Sequence, residues 1–232
     1  MQRTLWMKES IRAGKEFHIR NQSPFKNNVI NIIASTLLWS TGGLMLLLPS
    51  ATPLYLWPLW GTILGACFFG HFILIIHECS HNMFLHFSDA KQAKKWNGLI
   101  GRIAGVPVFT DYVRHWEEGH VVHHLRPCEA DDPQNLDPLF GKRLLKKIAI
   151  VWFIPFGFLT ANPSSKYPDK FRRIILGVST LLPIVYAVYL YHPPTLIVLY
   201  LSFLVLPTLN LCKIAEEHGA NLQFEPDPLL RS

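Results

Sequence analysis

Residues 54–81 read LYLWPLWGTILGACFFGHFILIIHECSH. From Leu54 to Ile76 no Asp, Glu, Lys or Arg interrupts the run, and about twenty apolar residues suffice to cross a hydrocarbon core of about 30 Å. The run therefore predicts a membrane-spanning helix that delivers His77 to the membrane surface. On a regular helix His77 and His81 stand about 40° apart, on one face. Further along, His120, His123 and His124 recur at i, i+3 and i+4, a spacing that also turns imidazoles one way.

Working outward, half of the 232 residues are hydrophobic and 16% are charged, against about 25% charged in soluble domains. The class is that of membrane proteins. Val29 to Leu48 is a second uncharged run and joins the first through Pro49-Ser50-Ala51-Thr52-Pro53. Ile174 to Tyr191 and Thr195 to Cys212 form another such pair around His192-Pro193-Pro194, whose prolines cannot continue a helix. Pro183 and Pro207 inside these runs are tolerated in membranes, where neighbouring groups satisfy the freed carbonyls. Leu99 to Thr110 and Ile148 to Thr160 are too short to span and fit interfacial or re-entrant segments.

The expected fold is all-α and integral to the membrane, with four transmembrane helices as two hairpins and a partly helical histidine region on one side. Charge supports it, because Lys and Arg concentrate on the cytoplasmic side of membrane proteins. Six of the 22 precede the first span, fourteen lie between Glu78 and Arg173, and two follow the fourth. Neither outer turn carries one, so both termini and both histidine clusters are expected to face the cytoplasm. Residues 1–28 form a basic cytoplasmic segment with no cleavable signal, and 29–232 the membrane domain. Cys67, Cys79, Cys128 and Cys212 lack the spacing of a zinc ribbon or disulfide scaffold and are expected to stay reduced. A nucleic-acid partner is not expected.

Histidines near a membrane are costly to bury without partners, and five in two tight clusters on one side need a shared reason. Metal ligation supplies it, since neutral imidazole suits iron, zinc and copper. His218, just beyond the fourth run, lies at the same side and depth and joins His77, His81, His120, His123 and His124 as a candidate ligand. His71 falls off the His77 face and reads as a packing or hydrogen-bonding residue. His86 and His115 are undecided, while His18 and His192 look unconnected. Glu117, Glu118, Asp131, Asp132 and Asp137 flank the second cluster and either orient its imidazoles or are solvated loop charges. His77-Glu78-x-x-His81 also fits a zinc protease, with the glutamate as general base. That reading leaves His120, His123 and His124 unexplained, and so many imidazoles exceed what tetrahedral zinc uses.

These motifs resemble the membrane fatty acid desaturase superfamily, best from His77 to Asp137. His77 and His81 match its first histidine box, followed by Asn82-Met83-Phe84. Trp96-Asn97-Gly98, then His120, His123 and His124, then Asp132-Pro133, match its order and spacing, and Glu217-His218-Gly219 resembles its single extra histidine. The resemblance implies two irons, dioxygen, a lipid or fatty-acyl substrate, and an electron donor such as ferredoxin or a cytochrome b5-like protein. It implies desaturation or hydroxylation in a multi-pass membrane setting, the bacterial inner membrane before the endoplasmic reticulum. The family's final His-x-x-His-His box has no match after His218, so the domain is expected to be incomplete at its C-terminus and the chain as it stands inactive. The rivals are a membrane zinc protease and a fragment that only binds metal.

Overall fold

The computed structural model describes residues 24–108, 110–120, 141–154, 157 and 170–217, and among them there is no strand. Helix α1 spans Pro24–Leu47 and α2 Trp57–His71. The chain then widens into a π-helical stretch over Phe72–His77 and closes with one α turn, Glu78–Ser80. Helix α3 is Ala90–Gly105, a second π-helical stretch is Tyr112–His120, and α4 is Gly141–Phe153. Helices α5, Lys170–Tyr191, and α6, Thr195–Glu217, form the second hairpin.

Among the described residues three stretches are long and apolar enough to cross a membrane: Phe25–Ser50, Leu54–Ser80 and Thr195–Ala215. The expected fourth crossing falls on α5, which is 22 residues long and whose apolar stretch among the described residues is the shorter Leu181–Tyr191. The count of four rests on α5, whose side chains are described only in part. Helix α1 also starts five residues ahead of the apolar run at Val29, and those added residues prove to matter for the site.

The hairpins meet through glycine. A Cβ on Gly61 would stand 2.7 Å from Leu201 Cβ, and one on Gly65 2.5 Å from Val205 Cβ. Side chains of that size are excluded, so the backbones of α2 and α6 touch, as small-xxx-small pairs permit in membranes. The order Gly61 to Leu201 and Gly65 to Val205 makes the two helices parallel. Phe68, one turn past Gly65, stacks on Phe203 at 5.4 Å. Met45, Leu64, Leu181 and Val198 complete this core. Both hairpin turns consequently lie at the same end, where the Ser50 and Tyr191 hydroxyls are 3.2 Å apart and Trp57 packs against His192 at 6.3 Å. His77, His81 and His120 are at the other end, as the hairpin reading requires.

There, Ile75, Ile76, Cys79, Phe84, Ala104, Tyr112 and Trp116 form a second core, which packs α3 and the Tyr112–His120 stretch against the extension of α2. His71 is buried, and its Nε2–H donates to the Ala104 carbonyl at 2.9 Å. It has the hydrogen-bonding role expected of it, tying the C-terminal end of α3 to the span.

Candidate metal centre

Three imidazoles converge: the ligand atoms of His77, His81 and His120 all lie within 4.8 Å of one another. The ring centroids are 4.7 Å apart for His77 and His81, and 5.0 Å from each to His120. His81 Nε2 and His120 Nε2 face each other at 3.1 Å, with room for one proton between two lone-pair nitrogens. Two imidazoles that share one ion at metal–nitrogen distances of about 2.0–2.1 Å and right angles hold their nitrogens about 3 Å apart. The donor set and its spacing fit a metal ion.

The placement of each of the three histidines has a local cause. His77 ends the first π-helical stretch, and its Nδ1–H donates to Glu78 Oε1 at 3.0 Å, which leaves Nε2 for the site. His81 does not continue the helix; it caps it at φ −88°, ψ 2°. Asn82 follows in the left-handed region at φ 56°, a conformation asparagine adopts more readily than most residues. The Met83 N–H still donates to the Glu78 carbonyl at 2.8 Å. His120 ends the second π-helical stretch and is buried. Burial and the neighbouring His77 push the His81 imidazole below its ordinary range, with Glu78 opposing. The lower pKa keeps the ring in the neutral form that metals require.

Trp116 is the wedge between the boxes. Its ring, 4% exposed, stands 5.8 Å from His77 at 90°, 4.9 Å from His120 and 5.1 Å from Phe72. Its indole N–H donates to Thr110 Oγ1 at 3.3 Å. Below it Tyr112 is buried, and burial together with Cys79 and Glu117 raises its phenol above the usual range. Glu117 points to Arg102, Oε2 to Nη2 at 3.3 Å, which makes it a partner of α3.

Asparagines hold the segment that leaves the first box. Asn28 accepts from the His86 N–H at 2.7 Å and donates to the His86 carbonyl at 3.0 Å. Asn31 donates to the Phe84 carbonyl at 2.8 Å. From the other side Asn97, fully buried, accepts from the Leu85 N–H at 2.9 Å and donates to the Leu85 and Ala93 carbonyls at 2.7 and 2.8 Å. A segment outside any helix thus has its peptide groups satisfied by side-chain amides.

The expected ligands divide accordingly. His77, His81 and His120 are brought together, while His123, His124 and His218 lie outside the described residues, as do Asp131, Asp132, Asp137, Cys128 and His18. His86 is buried beside the site segment, and His192 is at the opposite end with Nδ1 3.1 Å from Thr195 Oγ1. Cys67, Cys79 and Cys212 are free thiols. Trp116, Asn28 and Asn31 are the working residues that the sequence reading did not single out. Asparagines at 27, 28 and 31, opening an otherwise apolar run, were the available signal.

A helical membrane bundle that carries an imidazole cluster at one end defines the class. The chain belongs to the fatty acid desaturase family, whose model matches residues 52–231. It is similar to a sphingolipid delta(4)-desaturase of Xenopus tropicalis, 27% identical over 119 residues, which are 50% of this chain and 35% of that protein. It is likewise similar to a fatty acid desaturase of Bacillus subtilis, 27% identical over 110 residues, 47% of this chain and 29% of that protein. The matched segments thus span about a third of the length of these relatives. No solved structure matches the chain.

Proposed function

We propose that the chain is a membrane lipid-modifying oxidoreductase of the desaturase type. In this reading His77, His81, His120, His123, His124 and His218 hold iron, two ions in a complete site, and an acyl chain is desaturated or hydroxylated. The convergence of His77, His81 and His120 carries the reading. Bound iron supplies the activation of dioxygen and the oxidation of an unactivated C–H bond, with electrons from a ferredoxin or cytochrome b5-like donor.

The chain's own residues do the rest. Glu78 fixes the tautomer and orientation of His77, a carboxylate–histidine pairing that raises ligand basicity. Trp116, backed by Phe72, covers one side of the His77 and His120 rings. The uncharged helices below the site offer an acyl chain an apolar path to it. The one-sided distribution of Lys and Arg supports a site at the cytoplasmic face, and a bacterial inner membrane suits the chain. The zinc-protease alternative rests on His77-Glu78-x-x-His81 alone. Here Glu78 already accepts from a ligand histidine, where a protease needs it directed at water.

Elemental analysis of detergent-purified chain and its His77→Ala, His81→Ala and His120→Ala variants tests the site. Iron lost in each variant is the expected result. Zinc at one per chain, indifferent to His120→Ala, would return the protease. Lipid profiles of cells expressing the chain with an electron donor test the reaction. New double bonds or hydroxyl groups that vanish in His120→Ala support it.

A further inference from the structure

Helices α3 and α4 share an arrangement that the metal centre does not use. Each descends beside a membrane span with its C-terminal end innermost. In α3, Ala104 accepts from His71, nine residues before the end of the span at Ser80, or about 13 Å along the helix. In α4, the Trp152 indole donates to Thr208 at 2.9 Å, seven residues before the end of the span at Ala215, or about 10 Å. Both are amphipathic helices packed against the ends of candidate spans.

Their composition follows the descent. The inner halves expose apolar side chains, Leu99 and Ile103 on α3, Trp152 and Phe153 on α4, with Phe153 at 85%; Arg102, also exposed on the inner half of α3, is held by Glu117. The outer halves expose Lys91, Lys94 and Lys95 on α3, and Lys142, Arg143 and Lys146 on α4. Neither helix contains an aspartate or glutamate. None of the six cations is paired with a carboxylate among the described residues. At the boundary on α3, Trp96 is partly exposed, with Lys95 Nζ 5.6 Å from its ring centroid. Apolar, then indole, then ammonium is the order in which a bilayer presents acyl chain, interface and phosphate.

We propose that these outer halves form a cationic collar that binds the headgroups of anionic phospholipids in the leaflet at the histidine-bearing end. Among the described residues these six cations have no carboxylate partner, and a plane of anionic headgroups at their level would pair them. The apolar side chains one or two turns below them place those partners in the plane of the lipid phosphates rather than out in water. A soluble acidic protein would meet the cations but leave Leu99, Ile103 and Phe153 unexplained.

The full chain is reconstituted in phosphatidylcholine vesicles with trace spin-labelled phosphatidylglycerol or spin-labelled phosphatidylcholine, and the motionally restricted fraction of each label is read. Each surface cation near an anionic leaflet is worth up to about fivefold in affinity. Shared among many annular sites, that predicts an overall preference for phosphatidylglycerol of at least about twofold. The preference falls to parity when Lys91, Lys94, Lys95, Lys142, Arg143 and Lys146 are all changed to glutamine. It survives when the five lysines are changed to arginine, which controls for loss of folding. Equal restriction of both labels by the wild type overturns the proposal, as does a preference that persists in the glutamine variant. No lipid preference, together with binding of an acidic ferredoxin that the glutamine variant loses, assigns the surface to a soluble protein and equally overturns it.

Discussion

Gly101→Ala is the smallest change that reaches the metal centre without touching a ligand. Gly101 is on the buried face of α3, and a Cβ there would stand 2.1 Å from Tyr112 Cε2 and 2.3 Å from Cζ. Ordinary carbon contacts begin near 3.5 Å, so the ring must withdraw by more than an ångström. Tyr112 has nowhere to go: it is 3% exposed and packs with Cys79, Ala104 and Trp116. Overpacking of this kind costs about 1–3 kcal/mol, offset by up to about 1 kcal/mol from alanine's better helix propensity. The net loss is about 1–2 kcal/mol, or a fall of roughly 2–8 °C in Tm for a chain of this size.

Tyr112 opens the π-helical stretch that His120 closes, so its displacement should also lower metal content in the proposed site. A thiol-reactive dye follows unfolding, because Cys67 and Cys79 are buried free thiols. Gly43→Ala is the control, since a Cβ there meets nothing within 4 Å. It should leave Tm unchanged or raise it. Equal behaviour of the two variants, in Tm and in metal content, refutes the packing argument.

Asn97→Ala removes three hydrogen bonds and strands the Leu85 peptide; a loss of about 2–4 kcal/mol and faster amide exchange at Leu85 are expected by hydrogen–deuterium exchange. Glu78→Ala should weaken metal binding about 10–100-fold while Glu78→Gln, which still accepts from His77, weakens it less; competition with a metal-sensitive dye separates them, and identical affinities would mean that Glu78 does not orient His77. Single cysteines introduced at Ser50 and Ser88 should label from opposite sides of the membrane, Ser88 from the cytoplasmic side; labelling of both from one side would refute the hairpin topology.

Much of this was legible before any coordinates, because membrane helices are written in a coarse alphabet. An uncharged run of the right length has few alternatives to a helix in a bilayer. Two proline-containing turns without Lys or Arg placed both hairpin ends on one side, where Ser50 and Tyr191 now meet. The clusters themselves announced a shared site, and His77, His81 and His120 converge. The asparagine anchors were harder to read. Asn28 and Asn31 act on backbone 58 and 53 residues away, and no local pattern records which distant peptide a side chain will satisfy. Trp116 was hidden for a similar reason, since an aromatic beside histidines reads as core until its neighbours are known.

The least legible feature is the one that aims the ligands. The 40° separation expected of His77 and His81 holds for an unbroken α-helix, yet Phe72–His77 is π-helical and His81 lies past the last turn. A π insertion adds one residue to a turn, and one residue on an α-helix is worth about 100° of rotation. The same positions on a regular helix would therefore point His77 and His81 a quarter-turn or more away from His120. Nothing in Phe72-Ile73-Leu74-Ile75-Ile76 signals this, because a run that is apolar on every side has no periodicity to be broken. Tyr112–His120 is π-helical too and also ends on a ligand. π-Helical turns cost hydrogen-bond geometry and concentrate at functional sites. Their presence on both ligand-bearing segments means that the backbone register, as much as the histidine spacing, sets the geometry of the centre.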